Sequence, residues 1–229
     1  MRLDRFIARQ TEQSQQTARL LITAGRVQVD GQVVRDAQQA VDRFATVQLD
    51  DRLLQQHTPL HFMLHKPQGY LSATSDPAHP TVLELFADPL RPHLHIGGRL
   101  DRSTSGLLIL TNDGLWSRRL TDPARRTPKV YLVGTAEPIA GCAAERFEQG
   151  IHLAREGLDT SPAQLHLLMP CLARLTIYEG RHHQVKRMFH AVGNRVVSLH
   201  RERMGDIELD PALSPGQYRA LTAEEIDGI

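Results

Sequence analysis

Residues 1–57 place their apolar side chains first at helical spacing and then in alternation. Apolar residues recur every three or four positions within 3–7 and again within 18–22, which predicts two short amphipathic helices. Ser14 is placed to cap the second helix, and Gly25 is placed to end it. Residues 27–34 then alternate apolar and polar around the pair Asp30-Gly31, which predicts a tight β-hairpin.

The polar stretch at residues 53–59 is interpreted as a linker, so residues 1–57 are predicted to form one helix-helix-hairpin module. Such a module has a compact shape suited to RNA binding. The basic side chains that we predict to contact RNA from this module are Arg2, Arg5 and Arg26, with Arg9 and Arg19 also on or near its helices.

From His61 onward the pattern changes to short apolar runs separated by Gly/Pro loops. Strands are predicted at 62–64, 107–110, 130–133, 165–168, 172–177 and 195–199, and helices at 140–147 and 183–191. Strands and helices interleave without a regular βαβ alternation, which favours an α+β domain on a mixed sheet. The predicted domains are therefore 1–57 and 61–229.

Composition narrows the classes of protein that this chain can be. No apolar run approaches the ~20 residues of a membrane span, and residues 1–5 lack the apolar core of a signal peptide. Cys142 and Cys171 lie far apart without C-x-x-C spacing, so we interpret them as reduced thiols of a cytosolic protein. No membrane association is expected.

The charge is uneven although the formal net charge is only +1. Residues 174–203 carry seven Lys/Arg and two acids, residues 118–129 carry five and one, and the last 26 residues carry six acids and one arginine. Basic stretches set against an acidic tail suit a protein that binds a polyanion on one face. A solvated surface of mixed charge is the alternative.

Lysine is rare in this chain: 24 of the 27 basic residues are arginine, and the three lysines are Lys66, Lys129 and Lys186. Lysine carries a compact point charge, whereas arginine carries a wide planar fork. The three lysines are therefore candidates for sites where a guanidinium does not fit, with chance placement as the alternative.

The most informative segment is Gly97-Gly98-Arg99-Leu100-Asp101-Arg102-Ser103-Thr104-Ser105-Gly106. It predicts a loop before the apolar strand at 107–110, with one carboxylate between two arginines where glycines permit close approach of a ligand. A strand-entry loop whose aspartate pairs with an arginine is the alternative. The segment is not a phosphate-binding P-loop, because Gly106 is followed by Leu107 and not by Lys-Ser/Thr.

Four segments in order resemble the motifs of pseudouridine synthases. They are Lys66-Pro67-Gln68-Gly69; Gly98-Arg99-Leu100-Asp101 with Thr104-Ser105-Gly106; Lys129-Val130-Tyr131; and residues 179–189, Glu-Gly-Arg-His-His-Gln-Val-Lys-Arg-Met-Phe. The match extends over essentially the whole chain and is closest to the RsuA branch, which acts on small-subunit ribosomal RNA. The resemblance implies an S-four-like RNA-binding module followed by a catalytic domain on a mixed, largely antiparallel sheet.

The resemblance also implies roles for individual residues. Asp101 would be the catalytic carboxylate, Lys186 the cation that keeps it ionised, and Tyr131 the ring that stacks on the target uracil and helps with proton removal from C5. Arg99 would fill the gap left by the flipped base or hold a neighbouring phosphate. The remaining substrate-binding and RNA-binding candidates are Leu100, Lys66, Arg181, Gln184 and Arg187, with Arg118, Arg119, Arg125 and Arg126 as further backbone contacts.

Alternatives stay open for these residues. Lys186 could be a solvated helix lysine, Tyr131 a tyrosine at the edge of the core, and Arg99 the partner of Asp113 or Glu179. A zinc site at the adjacent pair His182-His183 is disfavoured, because no acid or cysteine sits four residues on.

Two positions depart from the family pattern. Gln15 stands where the S-four module often has a basic residue, which predicts weaker binding of RNA by this module. Ser103 stands where the catalytic motif often has an acid, which leaves the local geometry around Asp101 to be determined.

The implied function is isomerisation of one uridine of 16S ribosomal RNA to pseudouridine, by a monomer in the bacterial cytoplasm that needs no metal or cofactor. The partner would be ribosomal RNA or an assembling ribonucleoprotein particle. The same reaction on large-subunit RNA and a non-catalytic RNA-binding assembly factor are the alternatives. Whether Asp101 attacks the base or the sugar is left open by the sequence.

Overall fold

A computed structural model describes residues 1–154 and 156–229 of the protein. These residues divide into two compact units, Met1–Pro59 and Leu60–Ile229. No helix within the described residues has the length and hydropathy needed to cross a bilayer.

The N-terminal unit contains two helices and a four-stranded antiparallel sheet of order β2-β1-β3-β4. The elements are α1 Leu3–Thr11, α2 Gln15–Thr23, β1 Val27–Val29, β2 Gln32–Val34, β3 Val47–Leu49 and β4 Arg52–Gln55. The Ser14 hydroxyl accepts a hydrogen bond from the Thr17 amide at 3.0 Å, as its predicted capping role requires. Asp30 and Gly31 both adopt positive φ (50° and 78°), which matches a two-residue hairpin turn.

The sequence interpretation of this unit missed two strands, β3 and β4. Residues 53–55 were assigned to a linker, whereas β4 pairs with β3 and extends the hairpin into a larger sheet. The strand is short and lacks alternation, and polar residues follow it directly, so its sequence resembles a linker. Only its hydrogen-bonded pairing with β3 identifies it as a strand.

The second unit is built on one large mixed sheet of order β11-β12-β8-β13-β7-β5-β15. Of the described pairings along this order, β13 with β7 is parallel and the others are antiparallel. The strands are β5 His61–Lys66, β6 His95–Gly97, β7 Ser105–Thr111, β8 Lys129–Thr135, β9 His152–Leu153, β10 Leu158–Asp159, β11 Gln164–Met169, β12 Leu172–Ile177, β13 Val196–Met204, β14 Ile207–Glu208 and β15 Tyr218–Ala220. The helices are α3 Gly114–Thr121, α4 Ala143–Gln149, α5 Gln184–Ala191 and α6 Ala223–Asp227, with 3-10 turns at Val82–Leu85, Arg91–His93 and Pro123–Arg125.

Strand β7 is buried on both faces of this sheet. Leu108 and Leu110 belong to one core, together with α4 and α5, whereas Leu107 and Ile109 belong to a second core, together with α3. Burial on both faces explains why the strand is a continuous apolar run and not an alternating one. It makes β7 a rigid base for the loop that precedes it.

Candidate active site

Asp101 lies in the loop that connects β6 to β7, between the Gly97-Gly98 pair and the start of the buried strand. The Thr104 amide donates to the Asp101 carbonyl at 3.0 Å, which closes the turn after the aspartate. The Asp101 side chain is 24% exposed. The carboxylate is therefore partly exposed at the surface, while a backbone hydrogen bond fixes the turn that carries it.

Lys66 holds this loop from inside the protein. Its side chain is fully buried, and its ammonium group donates to the carbonyl oxygens of Thr104 at 2.8 Å, Asp101 at 3.1 Å, Pro67 at 3.1 Å and Arg102 at 3.4 Å. Burial lowers the pKa of Lys66 to about 8, and the positive charges of Arg201 and Lys186 act in the same direction, whereas Asp101 opposes them.

The prediction that Lys66 contacts RNA is corrected by this burial. A side chain with no exposed surface cannot reach a ligand at the protein surface. A compact ammonium can meet four converging carbonyl oxygens, a geometry for which the planar fork of arginine is unsuited. The structure thus gives Lys66 a supporting role, in which it holds the backbone of the loop that carries Asp101.

Arg201 supports the same loop from strand β13. Its guanidinium is 1% exposed and donates to the Leu107 carbonyl at 2.8 Å and the Gly98 carbonyl at 3.1 Å, one on each side of the loop. Gly106 permits this approach: its φ is +105°, and a Cβ atom there would lie 2.3 Å from the Arg201 carbonyl oxygen. The start of β7 and strand β13 are therefore in close backbone contact.

Two side chains from the start of α5 meet the carboxylate of Asp101. The Lys186 Nζ atom lies 3.4 Å from Asp101 Oδ2, and the His183 Nε2 atom lies 3.6 Å from Asp101 Oδ1. Lys186 also donates to the Ser103 hydroxyl at 2.7 Å. Ser103, at the position where the motif often has an acid, is therefore a neutral partner of Lys186, and Asp101 is the carboxylate that this lysine contacts.

Asp101 and His183 line a pocket of about 230 Å³ between the loop at residues 98–104, strands β8 and β13 and the start of α5. Its wall includes Arg99, Leu100, Asp101, Thr104, Lys129, Tyr131, Ile177, Tyr178, Glu179, Arg181, His183, Gln184 and Arg201. A single extruded base can enter such a volume, whereas a helical RNA segment cannot. The pocket is rich in cations, and burial followed by the charge of Arg201 lowers the pKa of Lys129 within it.

The structure brings Asp101, Tyr131 and Lys186 to one place although 85 residues separate the first from the last. Tyr131 is 7% exposed and projects from β8 to line the pocket, and Leu100 is buried beside it. Lys186 lies at the pocket edge in contact with Asp101.

Gln184 and Arg187, also predicted to bind RNA, make contacts within the protein. The buried Gln184 amide donates to Glu179 Oε1 at 2.6 Å and accepts from the Arg181 backbone amide at 2.9 Å, which orders the turn before α5. Arg187 forms an ion pair with Glu156. In this arrangement Gln184 lines the pocket as a fixed polar group, and the charge of Arg187 is compensated.

The other two arginines of the motifs remain available at the surface. Arg181 is exposed, with one contact to Glu179 at 3.3 Å, and it lines the pocket. Arg99 is also exposed at the pocket, and it forms no ion pair with Asp113 or Glu179 among the residues that the structure describes. The alternative role suggested for Arg99 is therefore not the one that the structure shows.

The RNA contacts predicted within residues 1–57 lie in the N-terminal unit, Met1–Pro59. Arg2 and Arg19 both bind the fully buried carboxylate of Asp4, and Gln15 donates to the same carboxylate at 2.9 Å. Gln15 thus has an internal role at the position where a basic residue was expected.

Arg5 is exposed, and Arg26 is exposed in an ion pair with Asp50.

Hydrogen bonding from Arg2 is the largest of the effects that hold the pKa of Asp4 well below its usual range.

Comparison with known proteins shows which family of enzymes this chain and its pocket belong to. A family model described as RNA pseudouridylate synthase matches residues 61–191, and a model of the S4 domain matches residues 1–47. The chain belongs to the RNA pseudouridylate synthase family.

Relatives and a solved structure cover the whole chain. The ribosomal small subunit pseudouridine synthase A of Pseudomonas aeruginosa is 57% identical over 227 residues, covering 99% of both chains. The protein of that name from Escherichia coli K12 is 50% identical over 230 residues, covering both chains fully. A crystal structure described as a pseudouridylate synthase superposes with a TM-score of 0.73 at 41% identity, covering 100% of this chain and 99% of the other.

Sequence reasoning missed three residues of this synthase pocket. His183 was considered only as a metal ligand, whereas it contacts Asp101. Lys129 was singled out as a rare lysine and quoted within a motif, and Arg201 belonged to a basic stretch and to a segment resembling the family, but neither received a role at the site. Lysine rarity could have pointed to Lys129, but nothing local marks Arg201, whose partners are backbone carbonyls about 94 to 103 residues away.

Proposed function

We propose that this synthase isomerises one uridine of small-subunit ribosomal RNA to pseudouridine, with Asp101 as its catalytic carboxylate. The observation that carries the proposal is the position of Asp101, whose two oxygens face Lys186 and His183 at the edge of a pocket lined by Tyr131. Support for the RNA substrate comes from the two full-length relatives named as small-subunit enzymes.

The reaction needs a carboxylate and no external reagent. The bond between uracil N1 and the sugar C1′ breaks, the base rotates, and C5 bonds to C1′, with no net hydrolysis or redox change. An ionised Asp101 can bond covalently during this exchange and leave again. The Nζ atom of Lys186, 3.4 Å from Oδ2, places a positive charge beside this carboxylate.

The pocket must receive a base that has left its helix, at a cost of a few kcal/mol of unstacking. Tyr131 provides a ring on which the uracil can stack, with Leu100 as part of the apolar wall. Arg99 is exposed at the entrance, where its guanidinium plane can occupy the vacated position or bind the adjacent phosphate. Arg181 and the arginines at 118, 119, 125 and 126 add salt-sensitive contacts to the backbone.

We assign RNA binding to residues 1–57 and catalysis to residues 61–229. Arg5 is the most accessible of the predicted N-terminal contacts, because Arg2 and Arg26 each have an acidic partner. We propose that the substrate is ribosomal RNA, free or in an assembling particle, and that the enzyme acts as a monomer in the bacterial cytoplasm.

The test is tritium release from small-subunit RNA labelled at uridine C5. The unaltered chain should release tritium, and Asp101→Asn, which keeps the shape and removes the charge, should not. Preferential release from large-subunit RNA would change the substrate, and equal release from both proteins would refute the role of Asp101. RNA binding without release by the unaltered chain would indicate an assembly factor.

A further inference from the structure

His183 is the second side chain that lies beside the carboxylate of Asp101, and the proposed chemistry has not yet used it. Its Nε2 atom lies 3.6 Å from Oδ1, whereas Lys186 contacts the other oxygen, Oδ2. The ring lines the same pocket as Tyr131, and its side chain is 46% exposed. A base bound in the pocket can therefore meet an imidazole nitrogen beside the carboxylate.

The backbone at His183 is held in an unusual conformation. Its φ and ψ are 50° and 28°, in the left-handed region that is uncommon for residues other than glycine, although histidine adopts it more often than most of them. The residue precedes α5 at the N-cap position, yet its side chain makes no capping hydrogen bond. Capping therefore does not explain a polar residue here, and such strain concentrates at functional sites.

The neighbours of the ring favour a defined position. His182 stacks on it with ring centroids 3.7 Å apart and planes 25° from parallel. Within the described residues, the charged groups that line the pocket around His183 are Arg99, Asp101, Lys129, Glu179, Arg181 and Arg201, with Lys186 at its edge. Of these, Asp101 approaches the imidazole, with Oδ1 3.6 Å from Nε2.

The proposed isomerisation requires a proton acceptor at its last step. When C5 has bonded to C1′, C5 is tetrahedral and still carries its hydrogen, and N1 is double-bonded to C6. Removal of the C5 proton turns the C–H electron pair into the C5=C6 double bond. The C6=N1 pair moves onto N1, which takes a proton from water, so the product is neutral pseudouridine.

We propose that His183 is the general base that accepts the C5 proton; the proposal rests on the proposed function. Histidine is the side chain that most often acts as a general base in enzymes, and we assign Tyr131 the stacking role in the same pocket. Asp101 is the alternative base, because its carboxylate is released when C5 bonds to C1′. The proton on Nε2 then passes to solvent through the exposed side of the ring.

The test compares His183→Asn with the matched control His190→Asn, an exposed histidine of α5 that does not line the pocket. Asparagine tolerates the left-handed backbone and cannot act as a base at neutral pH. Single-turnover rates are measured on small-subunit RNA transcribed with ordinary or C5-deuterated uridine. We expect His183→Asn to slow product formation about 10²–10⁴-fold, the usual contribution of a general base, and to show a primary deuterium isotope effect larger than that of the unaltered chain.

Added imidazole should restore part of the rate in His183→Asn, while His190→Asn should keep the rate and isotope effect of the unaltered chain. A slow His183→Asn variant with an unchanged isotope effect and no rescue would overturn the proposal, because it would mean a structural role. Unchanged rates would overturn it in favour of Asp101. His183→Gln repeats the comparison if His183→Asn does not fold. Pseudouridine formation by the unaltered chain tests the proposed function separately.

Discussion

Replacing Lys66 by methionine is the sharpest test of whether its buried ammonium group holds the loop that carries Asp101 in place. The substitution keeps an unbranched side chain of similar length and removes the buried ammonium group with its contacts to four carbonyl oxygens. Asp101 O also accepts from the Thr104 amide and Arg102 O from the Gly69 amide, so these two keep a donor. The carbonyl oxygens of Pro67 and Thr104 lose the donor that the structure gives them.

The magnitude follows from those two carbonyl groups. A buried polar group left without a partner costs about 1–3 kcal/mol, which gives about 2–6 kcal/mol for the pair. Part of this cost is offset because the variant no longer buries a charge. We expect a net loss of about 3 kcal/mol, or about 6–12 °C in the Tm of the unit Leu60–Ile229.

Activity should fall further than stability explains. Displacement of a reacting group by about 1 Å can cost about 10²-fold in rate, and Lys66 fixes both the Asp101 and Thr104 carbonyls. The assay is tritium release at a temperature where circular dichroism shows Lys66→Met to be folded.

Arg102→Met is the stability control, because Arg102 is exposed and donates to the Gly69 carbonyl from the surface. Its expected cost is within about 0.5 kcal/mol. If Lys66→Met melted within about 2 °C of the unaltered chain and kept its activity, Lys66 would not be the support of this loop.

Four further outcomes are expected. The pKa of Lys66 is about 8 in the folded chain and 10.5 in a model peptide, so the unfolded chain binds this proton more tightly. The stability of the unaltered chain relative to Lys66→Met should therefore rise between pH 8 and 10 in urea unfolding, and parallel stability curves would contradict this. Lys186→Met should lower the rate of tritium release about 10²-fold with little change in Tm, because the side chain is 30% exposed, and Lys186→Arg should recover part of that rate. Because its carboxylate is buried and its pKa is lowered by Arg2, Asp4 stabilises the N-terminal unit above about pH 4, and that contribution is lost only as pH falls through the lowered pKa. Asp4→Asn should cost about 3 kcal/mol, seen as faster amide exchange of residues 1–59 in the full chain at pH 6, and unchanged exchange would show that the buried carboxylate is dispensable. Gly106→Ala should cost more than about 4 kcal/mol, since its Cβ would lie 2.3 Å from a carbonyl oxygen, whereas Gly114→Ala, with open space around it, should leave the Tm within a few degrees.

The fold was predictable where the signal is local. The apolar run before Thr111 and the alternation around Asp30-Gly31 gave strands close to those observed, because the periodicity of a strand is contained in consecutive residues. Strand β4 was missed for the opposite reason, since it is defined by its pairing with β3. The isolated strand lacks a period that distinguishes it from a linker.

The sequence by itself determined the family and the chemistry of the chain. Ordered motifs around Asp101, Tyr131 and Lys186 require only residue types at fixed spacings, which are readable without coordinates. The rarity of lysine also pointed to Lys66 and Lys186, although it did not say what either one contacts.

Only the tertiary structure decided which side chains meet and which are hidden. Lys66 changed from a surface contact to a buried support, and His183 became a neighbour of Asp101 from 82 positions away in the chain. The reason is physical: burial and charge contact depend on distances through space, which the sheet sets by pairing distant strands. Sequence spacing records the order of residues along the chain and contains no such distances.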